Sequence, residues 1–324
     1  MYMGFSVPRC LAKMNAGGSM HNSLGIFAAT MTIVAASLAA CSDDAAQNAD
    51  VQADGGNGQP GNTDGGGTHD SGNESPGEGL GPGPYTIAYA GTEVGIDMRP
   101  IAQGKATFDG QKLLSYEASD EERPELGTNQ VNEAAADAFV AIGRWSGGKT
   151  SGKFYEIAGA GVFDLPATGG FHYAIGNFLD PLPAAGTFTY AELAKTAATV
   201  SDGSVAPGTI SGNVAVSFAG PSTKIGFSLT LDIPGDATYT LATTGGTDDV
   251  STTEAMMMTG SAKGAFSASL ELTNQGAACG GSCTGAVYGF VAGPDAERIA
   301  LVAHVYSGSG GSPKSVAGAI VFKK

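Results

Sequence analysis

From Tyr85 onward the chain runs in short stretches where apolar and polar residues alternate, separated by Gly, Pro and Asp-Gly steps. Alternation with a period of two places every second side chain on one face of an extended strand, so each stretch predicts a strand buried on one side. Between Thr209 and Ala219, Ile210, Val214, Val216 and Phe218 share one face, with Ser211, Asn213, Ala215 and Ser217 on the other. Between Lys224 and Ile233, Ile225, Phe227, Leu229, Leu231 and Ile233 oppose Gly226, Ser228, Thr230 and Asp232. Ala219-Gly220-Pro221-Ser222-Thr223 lies between the two and predicts an antiparallel hairpin. Ala138 to Trp145, Phe171 to Phe178, Thr187 to Leu193, Ala265 to Leu272, Ala286 to Ala292, Ile299 to Tyr306 and Val316 to Phe322 bring the total to about nine strands. A one-sided sheet of that size curls and closes. The expected fold is therefore all-β, a soluble antiparallel up-and-down barrel of about eight strands spanning residues 138–324. The outward faces carry Ser, Thr, Asn and Asp where lipid would require Leu and Val, which argues against a membrane-spanning barrel.

Residues 85–137 read as a small β-rich segment ahead of the barrel. Gly104 to Asp109 and Gln111 to Tyr116 predict a hairpin about Asp109-Gly110, and Asn132 to Asp137 predicts a short helix. Asp120, Glu121, Glu122 and Glu125 around Pro124 read as a solvated loop. Upstream, Ser42 to Pro84 holds 12 glycines, eight acids, no Lys or Arg and no Phe, Trp or Tyr. Such a stretch buries too little apolar surface to offset its ordering entropy, which predicts a disordered tether over 41–84 with an r.m.s. span of roughly 35 Å. Asp54, Asp64 and Asp70 lack the fixed spacing of a calcium loop.

Residues 24–40, LGIFAATMTIVAASLAA, form an uncharged apolar run behind Arg9 and Lys13, the layout of a secretory signal. A membrane span needs about 18 or more such residues, and this run is 17. Leu38-Ala39-Ala40-Cys41 closes it and resembles the lipobox of bacterial lipoproteins, in which the peptide is cut before Cys and the thiol takes a diacylglycerol thioether. Residues 1–40 are thus expected to be a lipoprotein signal peptide and Cys41 the lipidated first residue of the mature chain. Ser42 after the Cys, rather than Asp, resembles an outer-membrane sorting signal.

The composition agrees with strands and turns. Gly supplies 51 of 324 residues and charged residues only 15%. From Cys41 on there are 14 basic against 31 acidic residues, a net of −17. That balance makes nucleic acid an unsuitable partner and leaves membrane attachment to a lipid or a span. In an exported protein Cys279 and Cys283, set between two strands, predict a disulfide across a tight loop. Zinc would need two further ligands where only His172 and His304 lie in the domain, so no metal and no cofactor are expected. No nucleophile elbow, zinc-protease helix, phosphate loop or dinucleotide fingerprint occurs, so no catalytic residue is assigned and the chain is not read as an enzyme. Each His sits in a strand among aromatics and reads as packed or surface rather than catalytic. Met256-Met257-Met258 reads as gap-filling rather than as soft-metal capture.

Gly289-Phe290-Val291-Ala292-Gly293-Pro294-Asp295-Ala296-Glu297, followed by a strand and by Val316-Ala317-Gly318-Ala319-Ile320-Val321-Phe322, resembles the signature of the transferrin-binding-protein-like β-barrel. In that family a strand ends in a Gly-Pro-Asn-Ala-Glu type turn. Gly143-Arg144-Trp145, His172-Tyr173-Ala174-Ile175-Gly176 and Pro183-Ala184-Ala185-Gly186-Thr187-Phe188-Thr189-Tyr190 resemble further strand motifs of the same barrel, which also occurs at the C-terminus of some FecR-domain proteins. The likeness covers roughly 138–324. Gly289, Gly293, Pro294, Asp295, Ala296 and Glu297 then form the barrel turn, with Gly293 and Pro294 ending the strand, Asp295 capping a short helical turn and Ala296 packing beneath it. Ile299-Ala300 stand where the family has Gly-Gly. Family members with two lobes and handle domains bind transferrin, but this chain has a single barrel, so that ligand is not transferred.

The resemblance implies an outer-membrane lipoprotein exposed at the cell surface, whose barrel loops bind an extracellular protein or solute. A structural or adhesive envelope lipoprotein is the alternative reading, and a secreted enzyme is a third. An open apolar cavity would favour solute capture, a filled barrel with conspicuous exposed loop aromatics would favour a protein partner, and titratable groups converging in a cleft would favour catalysis.

Overall fold

The computed structural model describes residues 79–91, 101–118, 123–153, 162–177, 181–257, 264–279, 282–307 and 314–324. The expected signal peptide, Cys41 and nearly all of the expected tether lie outside them. Among the described residues there is no α-helix; the regular structure is strand, with a few single 3-10 turns.

Two nine-stranded antiparallel sheets make up the molecule. The first contains β1 (Tyr85–Ala90), β2 (Ile101–Asp109), β3 (Lys112–Glu117), β4 (Arg123–Glu125), β5 (Gln130–Ala136), β6 (Val140–Ser146), β7 (Gly148–Lys153), β8 (Phe163–Leu165) and β9 (Phe171–Asn177). Its spatial order is β5-β6-β9-β1-β2-β3-β4-β7-β8. The sheet folds over its own core, formed by Tyr85, Ile87, Tyr89, Leu113, Tyr116, Trp145, Phe171, Tyr173 and Ile175 among others. Polar tips of the aromatics tie its two halves together. The Trp145 indole N–H donates to the Leu113 carbonyl at 2.9 Å, and the Tyr173 hydroxyl accepts the Leu113 N–H at 3.2 Å.

The second sheet is the barrel: β10 (Gly186–Lys195), β11 (Ala197–Val200), β12 (Gly208–Phe218), β13 (Lys224–Asp232), β14 (Thr238–Ala242), β15 (Ala265–Thr273), β16 (Cys283–Ala292), β17 (Arg298–Ser307) and β18 (Ser315–Lys323). β11 continues the line of β10 past Thr196. The pairings of β10 with β12 and with β18 then close eight strands into a ring. The predicted hairpin forms in the expected register, with Val214 opposite Phe227 and Ile210 opposite Leu231. Both apolar sets point inward, where they meet Tyr239, Leu241, Phe266, Val287, Leu301, Ile320 and Phe322 in one buried cluster. Outside, Ser211, Thr230, Thr240 and Thr273 line up as a polar row across four strands.

β16, β17 and β18 have a second apolar face. Phe290, Ala300, Val302, Ala317, Ala319 and Val321 point away from the barrel interior and pack against Ala88, Ala90, Val140, Ile142 and Ala174 of the first sheet. Strands on both sides of this contact are therefore buried on both faces, which explains their unbroken apolar text.

Three expectations are corrected. The closed barrel runs from Gly186, not from residue 138: Ala138 to Trp145 and Phe171 to Phe178 supply β6 and β9, which flank or pair with β1 in the first sheet. Two of the family-like motifs, Gly143-Arg144-Trp145 and His172 to Gly176, thus lie outside the barrel. Asn132 to Asp137 is not helical but belongs to β5 and its end, with Glu133 at φ 53° where the pairing with β6 shifts register. Pro124 and Glu125 sit in β4, paired with β7, rather than in an open loop.

Candidate functional site

The turn singled out in the sequence closes one end of the barrel. β16 stops at Ala292, Gly293 takes φ 77°, and Pro294–Ala296 makes a single 3-10 turn before β17. Only a residue without a β-carbon adopts the Gly293 geometry without cost. Ala296 is fully buried, as expected, and its carbonyl accepts the Tyr190 hydroxyl at 2.9 Å, which ties the turn to β10. Asp295 does not cap the turn with its side chain; it takes a left-handed φ of 54° instead. The Glu297 carbonyl accepts the Lys324 amide at 3.0 Å and the Arg298 guanidinium at 3.2 Å. Gly289 lies further up β16, where a β-carbon would come within about 2.5 Å of the Phe266 ring.

Next to this turn the barrel wall is split. β10 pairs with β12 from Gly186↔Phe218 to Tyr190↔Val214, and pairing resumes in β11 at Ala197↔Thr209. Between those points residues 191–196 of one line face only 210–213 of the other, so the strand bows outward. On its opposite edge β10 slips by one residue against β18 between Glu192 and Ala194. A bulge of this kind turns side chains out of the wall, and Leu193 accordingly stands 47% exposed. Glu192 partly fills the gap, one carboxylate oxygen accepting the Gly212 N–H at 2.7 Å and the other the Lys195 ammonium at 2.9 Å. The result is a groove of about 490 Å³ whose lining includes Thr189, Glu192, Leu193, Asn213, Lys323 and Lys324.

Behind the same strand lies the contact with the first sheet, where both histidines are found. His172 of β9 is fully buried, its two ring nitrogens 2.9 Å from the Thr196 hydroxyl and 2.8 Å from the Thr199 hydroxyl. Burial, the Arg144 guanidinium and neighbouring His304 all hold its pKa well below the usual imidazole value. His304 of β17 is likewise buried, stacks on Tyr306 with ring centroids 5.0 Å apart, and has no hydrogen-bond partner on either nitrogen. Burial pushes its pKa down to about 3. Arg144 pairs with Glu133 through two bonds of 2.6 and 2.9 Å, and the same carboxylate accepts the Ala197 amide at 3.1 Å. Burial opposes ionisation of Glu133, but Arg144 and that amide outweigh it and keep its pKa below the ordinary value. A second pair, Arg298 with Asp137 at 2.7 Å, crosses from the barrel to the first sheet.

Cys279 and Cys283 form the disulfide, which pins the β15–β16 connection. Met257 is buried in the barrel core and Met256 is 46% exposed; Met258 lies outside the described residues. Among the described residues no three metal-ligating side chains gather. No motif in the sequence points to the groove, although the spacing of apolar residues carries a signal. Apolar positions step by two to Phe188 and Tyr190, then by three to Leu193, and resume the original phase at Ala198 and Val200. A step of three within a strand marks a bulge.

The architecture defines a class: a closed eight-stranded antiparallel barrel with a curled sheet packed on its outer wall. No family model and no curated protein matches the chain. Among solved structures it is similar to a mutant of the vaccine antigen transferrin binding protein B from Haemophilus parasuis Hp5, at 14% identity and a TM-score of 0.37, over 74% of this chain and 44% of that one. The chain thus spans less than half the length of the structure it matches.

Proposed function

We propose that this chain is a lipoprotein, held in the outer membrane through Cys41 and displayed at the cell surface, whose folded part binds an extracellular protein. The observation that carries the reading is the filled barrel. Its interior is packed with buried side chains, Phe227, Tyr239, Phe266 and Phe322 among them, where a solute carrier would keep a cavity. Recognition then falls to the outer surface, and loops and wall irregularities on a rigid scaffold are the usual sites for it. The eight-stranded closure and the Gly293–Glu297 turn support reading the barrel as transferrin-binding-protein-like, without transferrin as the ligand.

Three measurements test this. Acyl labelling should mark the wild-type protein and not Cys41→Ser, which should appear in the soluble fraction. Protease added to intact cells should remove the folded part. Pull-down with the purified protein should recover a saturable extracellular protein partner. Protection from protease in intact cells, or label retained by Cys41→Ser, would overturn the proposal.

A further inference from the structure

We infer that the groove beside the β10 bulge receives an extended, acidic segment of the partner protein. The inference rests on the binding-module reading and adds the chemistry of what is bound.

Three observations converge there. First, the floor of the groove is interrupted ladder. Between Tyr190↔Val214 and Ala197↔Thr209 β10 and β12 form no register pair, although their other edges stay paired with β18 and β13, and the Gly212 N–H is met by a Glu192 carboxylate oxygen instead of a carbonyl. A break in a ladder is a place where a segment that is itself extended can lie along a strand edge. Second, the groove is cationic on an acidic protein. The charged side chains in its lining are Glu192, Lys323 and Lys324, and Glu192 is already engaged by Lys195 and Gly212. Lys324 lies 3.6 Å from the centroid of the Phe188 ring and donates to the Asp295 carbonyl, contacts that leave its charge uncompensated. Lys323 is exposed. Against a chain with 31 acids and 16 bases, two lysines at one groove select and steer an anionic group. Third, Leu193 supplies apolar surface at the rim, turned outward by the bulge, where an apolar side chain of the segment can pack. The occupant that matches all three alternates acidic and apolar residues in extended form.

The test uses the purified protein and a fluorescein-labelled peptide of four Glu-Val repeats, with a Gln-Val peptide of the same length as control. Fluorescence anisotropy should show the acidic peptide binding at least tenfold tighter. Substituting Lys323→Gln and Lys324→Gln together should abolish that preference, with Lys323→Gln alone giving part of the loss as a guard against disturbance at Phe188. Leu193→Ser should weaken both peptides several-fold. Inorganic phosphate at about 10 mM should not displace the peptide, since a point anion satisfies only the lysines. Equal affinity for the two peptides, indifference to the lysine substitutions, or full displacement by phosphate would each overturn the inference. A partner still captured undiminished by the double lysine variant, on a protein still cleaved from intact cells, would remove the groove while leaving the binding-module reading in place.

Discussion

Arg298 illustrates how single residues hold the two sheets together. It leaves the start of β17, is 1% exposed, lies 5.4 Å from the centroid of the Phe139 ring and pairs with Asp137, whose other oxygen accepts the Phe139 and Val140 amides. Asp137 is 19% exposed and keeps its two amide donors, so removing its buried cation should cost less than in a fully buried pair, and Arg298→Ala should lose about 1.5–3 kcal/mol in urea unfolding. A loss below about 1 kcal/mol would mean that Asp137 is hydrated and the pair ordinary surface chemistry. The sequence displayed Arg298 and Asp137 but not their partnership, because 161 residues separate them and only the packing of β17 on the first sheet brings them together.

At the level of strands, the legible parts were those with one wet face. The β12–β13 hairpin and the β2–β3 hairpin about Gly110 formed as alternation and turn chemistry required. β14 escaped notice because its five residues bury only Tyr239 and Leu241. β1, buried at every position, has no alternation to read. The Ala-rich end of β5 looks helical by propensity, and pairing with β6 overrides it. The barrel boundary was misplaced for a related reason: β6 and β9 read like barrel strands locally, and only their register with β1 and with each other assigns them to the first sheet. The bulge in β10 gives a prediction at this scale. With Glu192→Ala the Gly212 amide loses its acceptor, so its hydrogen exchange should quicken at least tenfold while the midpoint of global unfolding moves by less than about 1 kcal/mol, the usual size of an exposed hydrogen-bond loss. Unchanged protection at Gly212 would show that another group closes the seam.

For the molecule as a whole, the buried histidines set the response to acid. Both have folded pKa values below the ordinary imidazole value, that of His304 at about 3. The unfolded chain therefore binds protons first as pH drops below about 6.5, and stability that is complete above that point is lost progressively toward about pH 3. At pH 5 the loss is about 2 kcal/mol for His304, and His172 adds a loss of the same sign. Arg144, beside His172, works in the same direction, and Glu133 adds its own loss at lower pH. Urea midpoints at pH 7 and pH 5 should show the difference, and His304→Leu should remove about 2 kcal/mol of it. A pH dependence untouched by that substitution would exonerate His304.

The doubly covered strands β16 to β18 also bear on how the chain reaches its final form. During synthesis the first sheet is complete well before them, so Ala88, Ala90, Val140, Ile142 and Ala174 present an oily flank with nothing to lie against. β18 must arrive before the ring can shut, since it alone joins β17 to β10 and β11. Closure of the barrel consequently waits on β18, and a nascent polypeptide halted anywhere before it is sticky rather than half-finished, a natural client for holding chaperones.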